Sequence, residues 1–239
     1  MNGVSRLLKG IGIWLAVLPL VSAATLEGKV TRLGGGKALF KYLRTEENLP
    51  NGNTIVTRKF LDLKGDLAVE TIAVLKDNHL IKSTTNQSQT GERGRIWVEG
   101  KELKFEYEKD GKTKHASEKV EEPLVGSDQI VPHLRGYWKE LMEHKTLEIR
   151  FPVWHRLETV GFKFFLDSEK SVRGINCYVI KMKPQSFIIA ALVDPLYFYF
   201  SKENNELVRL EGRTDPKILK GKKWADLDAW IDFDLKASH

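Results

Sequence analysis

From Leu26 to Leu235 the sequence consists of short segments of period-two hydrophobicity separated by turn residues, and no other feature constrains the fold as strongly. In Leu103–Glu108 apolar and charged residues alternate strictly, which is typical of a half-buried strand. The Asp110-Gly111 pair that follows supplies the positive φ of a tight hairpin. The connections are too short for the crossover helices that parallel pairing requires. The sequence therefore predicts a mainly β fold, in which a long antiparallel meander curls into a half-barrel.

One segment carries a helical pattern instead. After two capping residues, Ser127 and Asp128, apolar residues recur at the spacing of a single helical stripe. We expect one covering α-helix over about residues 128–145, which packs its stripe against the sheet. The stripe consists of Ile130, Leu134, Tyr137, Trp138 and Leu141.

The strands predicted after this helix are more apolar than those before it. Phe187–Val193 and Leu196–Phe200 are apolar on both faces, which indicates strands that are covered on both sides or that line a cavity.

The last predicted strand, Trp224–Leu235, presents a row of carboxylates on one face. Alternate residues of a strand lie about 7 Å apart, so two neighbouring acids need another segment to share a metal ion. Arg209 and Arg213 alternate on the preceding strand, and cross-strand pairing with them satisfies the acids more simply. We therefore predict an ion-pair ladder and no metal site for Asp226, Asp228, Asp232 and Asp234.

The N-terminus has the three parts of a secretory signal peptide. Arg6 and Lys9 precede the short apolar run Ile11–Val21, and Ser22-Ala23-Ala24 provides small residues for cleavage. A membrane anchor would need about 20 apolar residues. We expect residues 1–23 to be a signal peptide and 24–239 to be a single β-rich half-barrel domain, which is periplasmic or secreted. A transmembrane barrel would need a lipid-facing apolar band, which the charged first half does not offer.

Charge and cysteine content exclude some classes of protein. The chain carries 38 Lys and Arg against 32 Asp and Glu. Its densest basic run, Lys217–Lys223, is a candidate for peripheral contact with a membrane or an acidic partner, although lysines also keep loops soluble. Nucleic acid is not an expected partner, because no recognised binding motif is present. A lone Cys177 excludes an intramolecular disulfide and a zinc site built from several thiolates.

Motifs of catalysis are missing from the sequence. It contains no H-E-x-x-H, no G-x-S-x-G, no Walker loop and no dinucleotide fingerprint. We therefore expect no enzyme activity, no metal and no cofactor, with a hydrolase of unrecognised site as an alternative.

Large apolar side chains predicted on the concave side of the sheet are the candidate ligand site. Either the helix fills the interior completely, or the half-barrel keeps a cavity for an acyl chain or another apolar ligand. A groove for a partner protein is a further alternative. The candidates are Phe105, Tyr107, Trp138, Met142, Phe162, Phe164, Tyr178, Ile180, Phe198 and Phe233.

The segment Thr146–Pro216, with V-R-G-I-N-C-Y-V-I at 172–180 and L-V-R-L-E-G-R at 207–213, resembles the bacterial envelope half-barrel group. That group includes the carrier and the receptor of lipoprotein sorting and exported families of unknown function. The resemblance implies a curved sheet around a helix and a lipid or lipoprotein ligand. The leading hypothesis is a non-catalytic exported binding protein for a lipid or other apolar ligand. The main alternative is an envelope protein-protein interaction module that uses an open strand edge or Lys217–Lys223.

Overall fold

A computed structural model describes residues 24–191 and 193–235, and it confirms the mainly β architecture. The predicted signal peptide, residues 1–23, lies outside the described residues. Strands of the first half are β1 (Ala24–Arg32), β2 (Ala38–Asn48), β3 (Asn53–Asp62), β4 (Leu67–Lys76), β5 (His79–Gln87), β6 (Glu92–Glu99), β7 (Glu102–Lys109) and β8 (Lys112–Lys119). Strands of the second half are β9 (Leu147–Val153), β10 (Glu158–Val172), β11 (Ile175–Pro184), β12 (Leu196–Ser201), β13 (Leu207–Lys220) and β14 (Lys223–Phe233).

All 14 strands form one antiparallel sheet in the order β8-β7-β6-β5-β4-β3-β2-β1-β14-β13-β12-β11-β10-β9. The described chain therefore begins in the middle of the sheet, meanders out to the edge strand β8, crosses to the edge strand β9 and meanders back to pair β14 with β1. Every sheet neighbour except the β1–β14 pair is also a sequence neighbour, which is the meander that the turn residues predict. Asp77, Asn78 and Asp110 adopt the positive φ that these turns need.

The two edges of the curved sheet approach each other without forming a ladder. Glu118 of β8 accepts a hydrogen bond from the backbone N–H of Thr159 in β10, at 2.9 Å. The crossing segment covers β9, because Arg150 exchanges backbone hydrogen bonds with Pro123 and Val125 at 2.9 and 3.0 Å. Side chains and a loop thus bring together the two ends of a sheet that is not closed into a barrel.

The covering helix is present but divided. A 3₁₀ turn at Ser127–Gln129 leads into α1 (Ile130–Gly136), and α2 (Trp138–Met142) follows after a break at Tyr137, where φ is −110° and ψ is 27°. The predicted covering helix over about 128–145 is confirmed with one interruption, at Tyr137, which directly follows Gly136, a poor helix former. The Tyr137 N–H still donates to the His133 oxygen at 3.2 Å. The predicted caps are wrong: the Gln129 side chain, in place of Ser127 or Asp128, accepts from the Gly126 N–H at 2.9 Å.

The main hydrophobic core lies between these helices and the inner face of the sheet. Leu134 and Leu141 are completely buried in it, as the stripe predicts. Trp138 packs edge-on against Tyr178 and Phe200, with ring centroids 6.0 and 5.1 Å apart. Tyr137, by contrast, stays 46% exposed, because the helix breaks at this residue.

The predicted strand Phe187–Val193 is wrong. Residues Phe187–Ala190 form the short helix α3, whose first turn is capped by the Ser186 hydroxyl accepting from the Ile189 N–H. Phe187 and Ile188 are 90% and 75% exposed, so their side chains do not contribute to the core. The apolar pattern of this segment therefore does not belong to a strand that is covered on both faces, because two of its large residues are exposed on the surface.

Both faces of β12 carry buried residues, as the composition of Leu196–Phe200 predicts, and the neighbouring strand β11 also has buried residues on both faces. Ile180, Phe198 and Phe200 point into the main core, while Val179 and Tyr199 form a small cluster on the outer face. The ion-pair ladder between β13 and β14 is confirmed for three of its four acids. Arg209 donates two hydrogen bonds to the carboxylate of Asp232, at 2.7 and 2.9 Å. Arg213 donates one hydrogen bond to Asp228 at 2.7 Å and one to Asp226 at 2.5 Å.

Candidate functional site

A cleft of about 500 Å³ lies beside the main core, on the inner face of the first half of the sheet. Its floor is the inner face of β3–β7, its wall is the β9–β10 hairpin, and the bent end of β13 closes one side. The interior is therefore filled by the helices over the second half of the sheet and stays open over the first half.

The floor of the cleft is a row of residues in register across five strands. Arg58 of β3 pairs with Thr71 of β4, which pairs with Thr85 of β5, then Gly94 of β6 and Tyr107 of β7. Strands lie about 4.8 Å apart, so the row extends over roughly 19 Å. It begins with a charge, continues with two hydroxyl groups 3.2 Å apart and ends with an aromatic ring.

The opposite wall is apolar. The β9–β10 hairpin contributes Phe151, Val153, Val160 and Phe162, whereas Leu75, Leu80 and Ile96 line the adjacent part of the floor.

Trp154, at the tip of the β9–β10 hairpin, closes the far end of the cleft. It lies directly on Gly94, where a Cβ atom would overlap the indole ring. The ring of Tyr107 is 5.9 Å away between centroids. Gly94 is therefore needed for close approach of the two halves of the sheet.

At the other end of the row, Arg58 stands in a buried polar cluster. Its side chain is 12% exposed, and its Nη1 and Nη2 atoms lie 3.3 Å from Asp128 and 3.1 Å from Asp215. Asp128 belongs to the 3₁₀ turn before α1, and its carboxylate also lies 4.0 Å from Arg44. A bulge at Thr214–Lys217, which contains the Asp215-Pro216 pair, bends β13 and carries Asp215 over the floor.

Gln87 joins this cluster from the end of β5. Its Nε2 atom donates to the backbone oxygen of Asp215 at 2.9 Å, and the side chain is buried. Gln89 binds the same bent segment, since its amide both donates to and accepts from the Lys217 backbone, at 2.8 and 2.7 Å. Together these bonds hold the end of β13 across the cleft.

The charges of the cleft compensate one another. Burial lowers the pKa of Arg58, but the carboxylates of Asp128 and Asp215 outweigh that effect and raise it. A hydrogen bond from Lys217 is the largest cause that holds the pKa of Asp226 below its usual value. Each of these three carboxylates has a cation beside it.

Two titratable rings also face the cleft. Burial, with a hydrogen bond to Glu92 at 2.8 Å, raises the pKa of Tyr107 to about 12. His155 packs edge-on against Trp154, with ring centroids 5.3 Å apart. Burial first, and then Lys217, lower the pKa of His155, so the ring is neutral at pH 7.

Two exposed segments border the cleft. Ile189 and Val193 line it, while their neighbours Phe187 and Ile188 point into solvent. On the other side β13 continues from Lys217 into the basic hairpin tip (Leu219–Trp224), in which the cross-strand partners Leu219 and Trp224 are 59% and 40% exposed. The tip also exposes Lys220, Lys222 and Lys223.

The structure divides the ten predicted site residues between the cleft and the cores. Tyr107 and Phe162 line the cleft. Trp138 and Met142 pack against the main core, and Tyr178 contacts Trp138. The remaining five are buried core residues: Phe105, Phe164, Ile180, Phe198 and Phe233.

The sequence analysis did not single out the polar cluster as a site. One signal was present: Arg58 occupies the inward face of β3 between the buried Val56 and Phe60. A second sequence signal is the Asp215-Pro216 pair inside a strand pattern, because proline within a strand marks a bulge or an edge.

No family model matches the chain, and no curated protein matches it either. Solved structures to which this chain is similar include a beta-barrel-like protein of the domain of unknown function DUF1849 from Brucella abortus. It has 9% identity and a TM-score of 0.40, and the match covers 91% of this chain and 98% of that one. A DUF1329 family protein from Desulfovibrio piger has 10% identity and a TM-score of 0.28, over 90% and 85% of the two chains.

A third similar structure is a putative outer membrane lipoprotein-sorting protein domain from Vibrio parahaemolyticus. It has 7% identity and a TM-score of 0.28, over 91% of this chain and 86% of that one. The descriptions of the first and third structures, as barrel-like and as lipoprotein-sorting, match the group that the sequence resembles. At these identities and TM-scores the similarity carries no inference about this chain, and no functional residue is transferred from these proteins.

Proposed function

We propose that the protein is an exported binding protein, which holds an amphipathic, lipid-like ligand in the cleft between β3–β7 and the β9–β10 hairpin. One observation carries the proposal: the cleft has an apolar wall on one side and a buried polar cluster at one end. Its volume of about 500 Å³ lies within the range of about 300–1,000 Å³ that is usual for small-molecule sites. The proposed export rests on the N-terminal pattern of residues 1–23.

The chemistry of the cleft favours binding over hydrolysis. A general acid needs a carboxyl group whose pKa is raised, usually in apolar surroundings. Here a hydrogen bond from Lys217 is the largest cause that holds the pKa of Asp226 below its usual value. Asp128 and Asp215 are paired with Arg58 at 3.3 and 3.1 Å. His155 is packed against an indole ring.

The alternative of a protein-protein interaction module has less support. Strand addition needs an open edge, but the segment Pro123–Val125 already occupies the β9 edge. The β8 edge has the sequence K-T-K-H-A-S-E-K, and such charged edges discourage pairing with another chain.

The test is native mass spectrometry with lipid extraction on the full chain, expressed for export and purified without detergent. A matched pair of variants locates the ligand: Ser83→Trp places an indole in the cleft, and Thr84→Trp places one on the outer face of the same strand. The proposal predicts a co-purifying amphiphile on the wild type and on Thr84→Trp, and its loss from Ser83→Trp.

A ligand-free wild type that also fails to bind added acylglycerols and fatty acids would contradict the proposal. Equal occupancy of the two variants would place the ligand outside the cleft. Recovery of hydrolysed products from an intact added ester would favour the hydrolase instead.

A further inference from the structure

Two buried polar atoms at the polar end of the cleft have no hydrogen-bond partner among the described residues: Oε1 of Gln87 and Nε of Arg58. Gln87 is 3% exposed, so solvent does not satisfy its oxygen freely. The orientation of its amide is fixed, because the NH₂ group donates to the backbone oxygen of Asp215, which only accepts. The amide oxygen is therefore the group left over.

The guanidinium of Arg58 is committed in the same way. Its two terminal nitrogens face Asp128 and Asp215, and Nε is the one guanidinium nitrogen that has no partner among the described residues. Arg58 and Gln87 both line the cleft, and both bind Asp215. One buried donor and one buried acceptor thus flank the same residue.

Such a pair selects among polar groups. A head group with hydroxyl or amide groups both donates and accepts, so it offers a partner of the right kind to each of the two atoms. An ionised carboxylate only accepts, and it would leave the oxygen of Gln87 unpaired beside two existing carboxylates.

The net charge of the lining points in the same direction. Four cations face the cleft, namely Arg58, Arg156, Arg213 and Lys217. Four carboxylates balance them, namely Glu92, Asp128, Asp215 and Asp226. The described part of the lining therefore carries no positive excess that would attract an anionic head group.

We propose that the polar end of the cleft binds an uncharged head group that carries a hydroxyl or an amide, and that it discriminates against the free carboxylate of a fatty acid. The inference rests on the proposed function, because the acyl part of the ligand is assigned to the apolar wall. It adds the chemical class of the head group and the two residues that recognise it.

The experiment compares three probes that share one acyl chain: monolaurin, laurate and methyl laurate. Binding to the full chain is measured by isothermal titration calorimetry at a pH where laurate is ionised. Monolaurin offers donors and acceptors, methyl laurate offers acceptors only, and laurate adds a charge. We expect monolaurin to bind about tenfold tighter than either of the others, since a lost buried hydrogen bond has an effect of this order.

Two substitutions with a matched control assign the selectivity. Gln87→Leu removes the acceptor and Arg58→Lys removes the Nε–H while it keeps the charge, so each should reduce the preference for monolaurin to about twofold or less. Thr84→Leu is the control, because Thr84 is exposed on the outer face of the strand that carries Gln87, so its loss should leave the preference unchanged.

Each outcome decides the matter. Equal affinity for the three probes, or tighter binding of laurate, would overturn the inference and leave the proposed function intact. A preference that survives both Gln87→Leu and Arg58→Lys would also overturn it. Absence of binding by all three probes would contradict the proposed function itself. The wild-type comparison needs no variant, so a variant that fails to fold does not remove the test.

Discussion

Removing the carboxylate of Asp128 should destabilise the protein far more than removing that of Asp215, although both face Arg58. The side chain of Asp128 is 5% exposed and lies 3.3 Å from the Arg58 guanidinium. The side chain of Asp215 is 45% exposed and lies 3.1 Å from it. Similar distances but different burial make Asp128→Asn and Asp215→Asn a matched pair.

Burial sets the two magnitudes. Breaking a buried ion pair by removing one partner costs about 3–5 kcal/mol, because the remaining charge stays buried without compensation. Asp215 still faces Arg58 in the Asp128→Asn variant, so we expect the lower end, about 3 kcal/mol. For Asp215→Asn the buried pair is intact and solvent screens the lost contact, so we expect a cost of under about 1 kcal/mol.

The assay is urea unfolding followed by tryptophan fluorescence, with the slope checked for constancy between variants. A second readout is the double variant Arg58→Met/Asp128→Leu, which removes both buried charges and should be more stable than Arg58→Met alone. Equal losses for Asp128→Asn and Asp215→Asn, or a larger loss for Asp215→Asn, would refute the argument from burial.

Three further predictions use other parts of the molecule. Gly94→Ala should reduce the free energy of unfolding by about 1–3 kcal/mol in urea melts, because the added Cβ overlaps Trp154. The control Gly136→Ala should be neutral or stabilising, because a Cβ there meets no described atom within 4 Å. Equal effects of the two substitutions would contradict the reasoning. His155 has a pKa below 6.5 in the folded state, so the unfolded chain binds the proton first and stability should fall as the pH drops below 6.5. His155→Gln should weaken that pH dependence, and an unchanged dependence in melts at pH about 7.5 and 5.5 would assign it to other groups. Charge reversal of the three lysines of the basic hairpin tip should weaken the affinity for phosphatidylglycerol vesicles at least about 100-fold in a sedimentation assay, at about 1 kcal/mol per lysine. Charge reversal of three lysines of β8 should leave that affinity nearly unchanged. Equal losses of affinity would indicate a diffuse charge effect.

The strands were predictable because they are encoded locally. Period-two alternation in Leu103–Glu108 and the turn at Asp110-Gly111 specify a hairpin without reference to the rest of the chain. The ion pair between Arg209 and Asp232 follows from the register of two consecutive strands. These features need only neighbours in sequence.

The cleft was not predictable in this way. The contact between Arg58 and Asp128 spans 70 residues, and that between Gln87 and Asp215 spans 128. Such contacts depend on how far the sheet curls and on how far the bulge bends β13. The Asp215-Pro216 pair marks the place of the bulge, but no local pattern encodes the extent of the curl or of the bend. For the same reason periodicity identified large apolar residues but did not separate Phe162, which lines the cleft, from Phe164, which is buried in the core.

The helical segment shows a different limit. An apolar stripe predicted that it packs on the sheet, and Leu134 and Leu141 do so. The stripe is insensitive to a single irregular residue, so it did not reveal the break at Tyr137. Aspartate is a preferred capping residue, but the carboxylate of Asp128 forms an ion pair with the buried guanidinium of Arg58 instead of capping the helix. Tertiary electrostatics here overrides a local preference.

Photo-crosslinking tests the central claim most directly, because it reports where a ligand lies. The full chain would be loaded with a monoacylglycerol that carries a diazirine at the end of its acyl chain, irradiated and mapped by peptide mass spectrometry. A ligand in the cleft predicts labels on the β9–β10 hairpin around Phe151 and Phe162 and on Tyr107, and their loss in Ser83→Trp. Labels confined to Phe187–Ile188 or to the basic hairpin tip, unchanged by Ser83→Trp, would contradict the account.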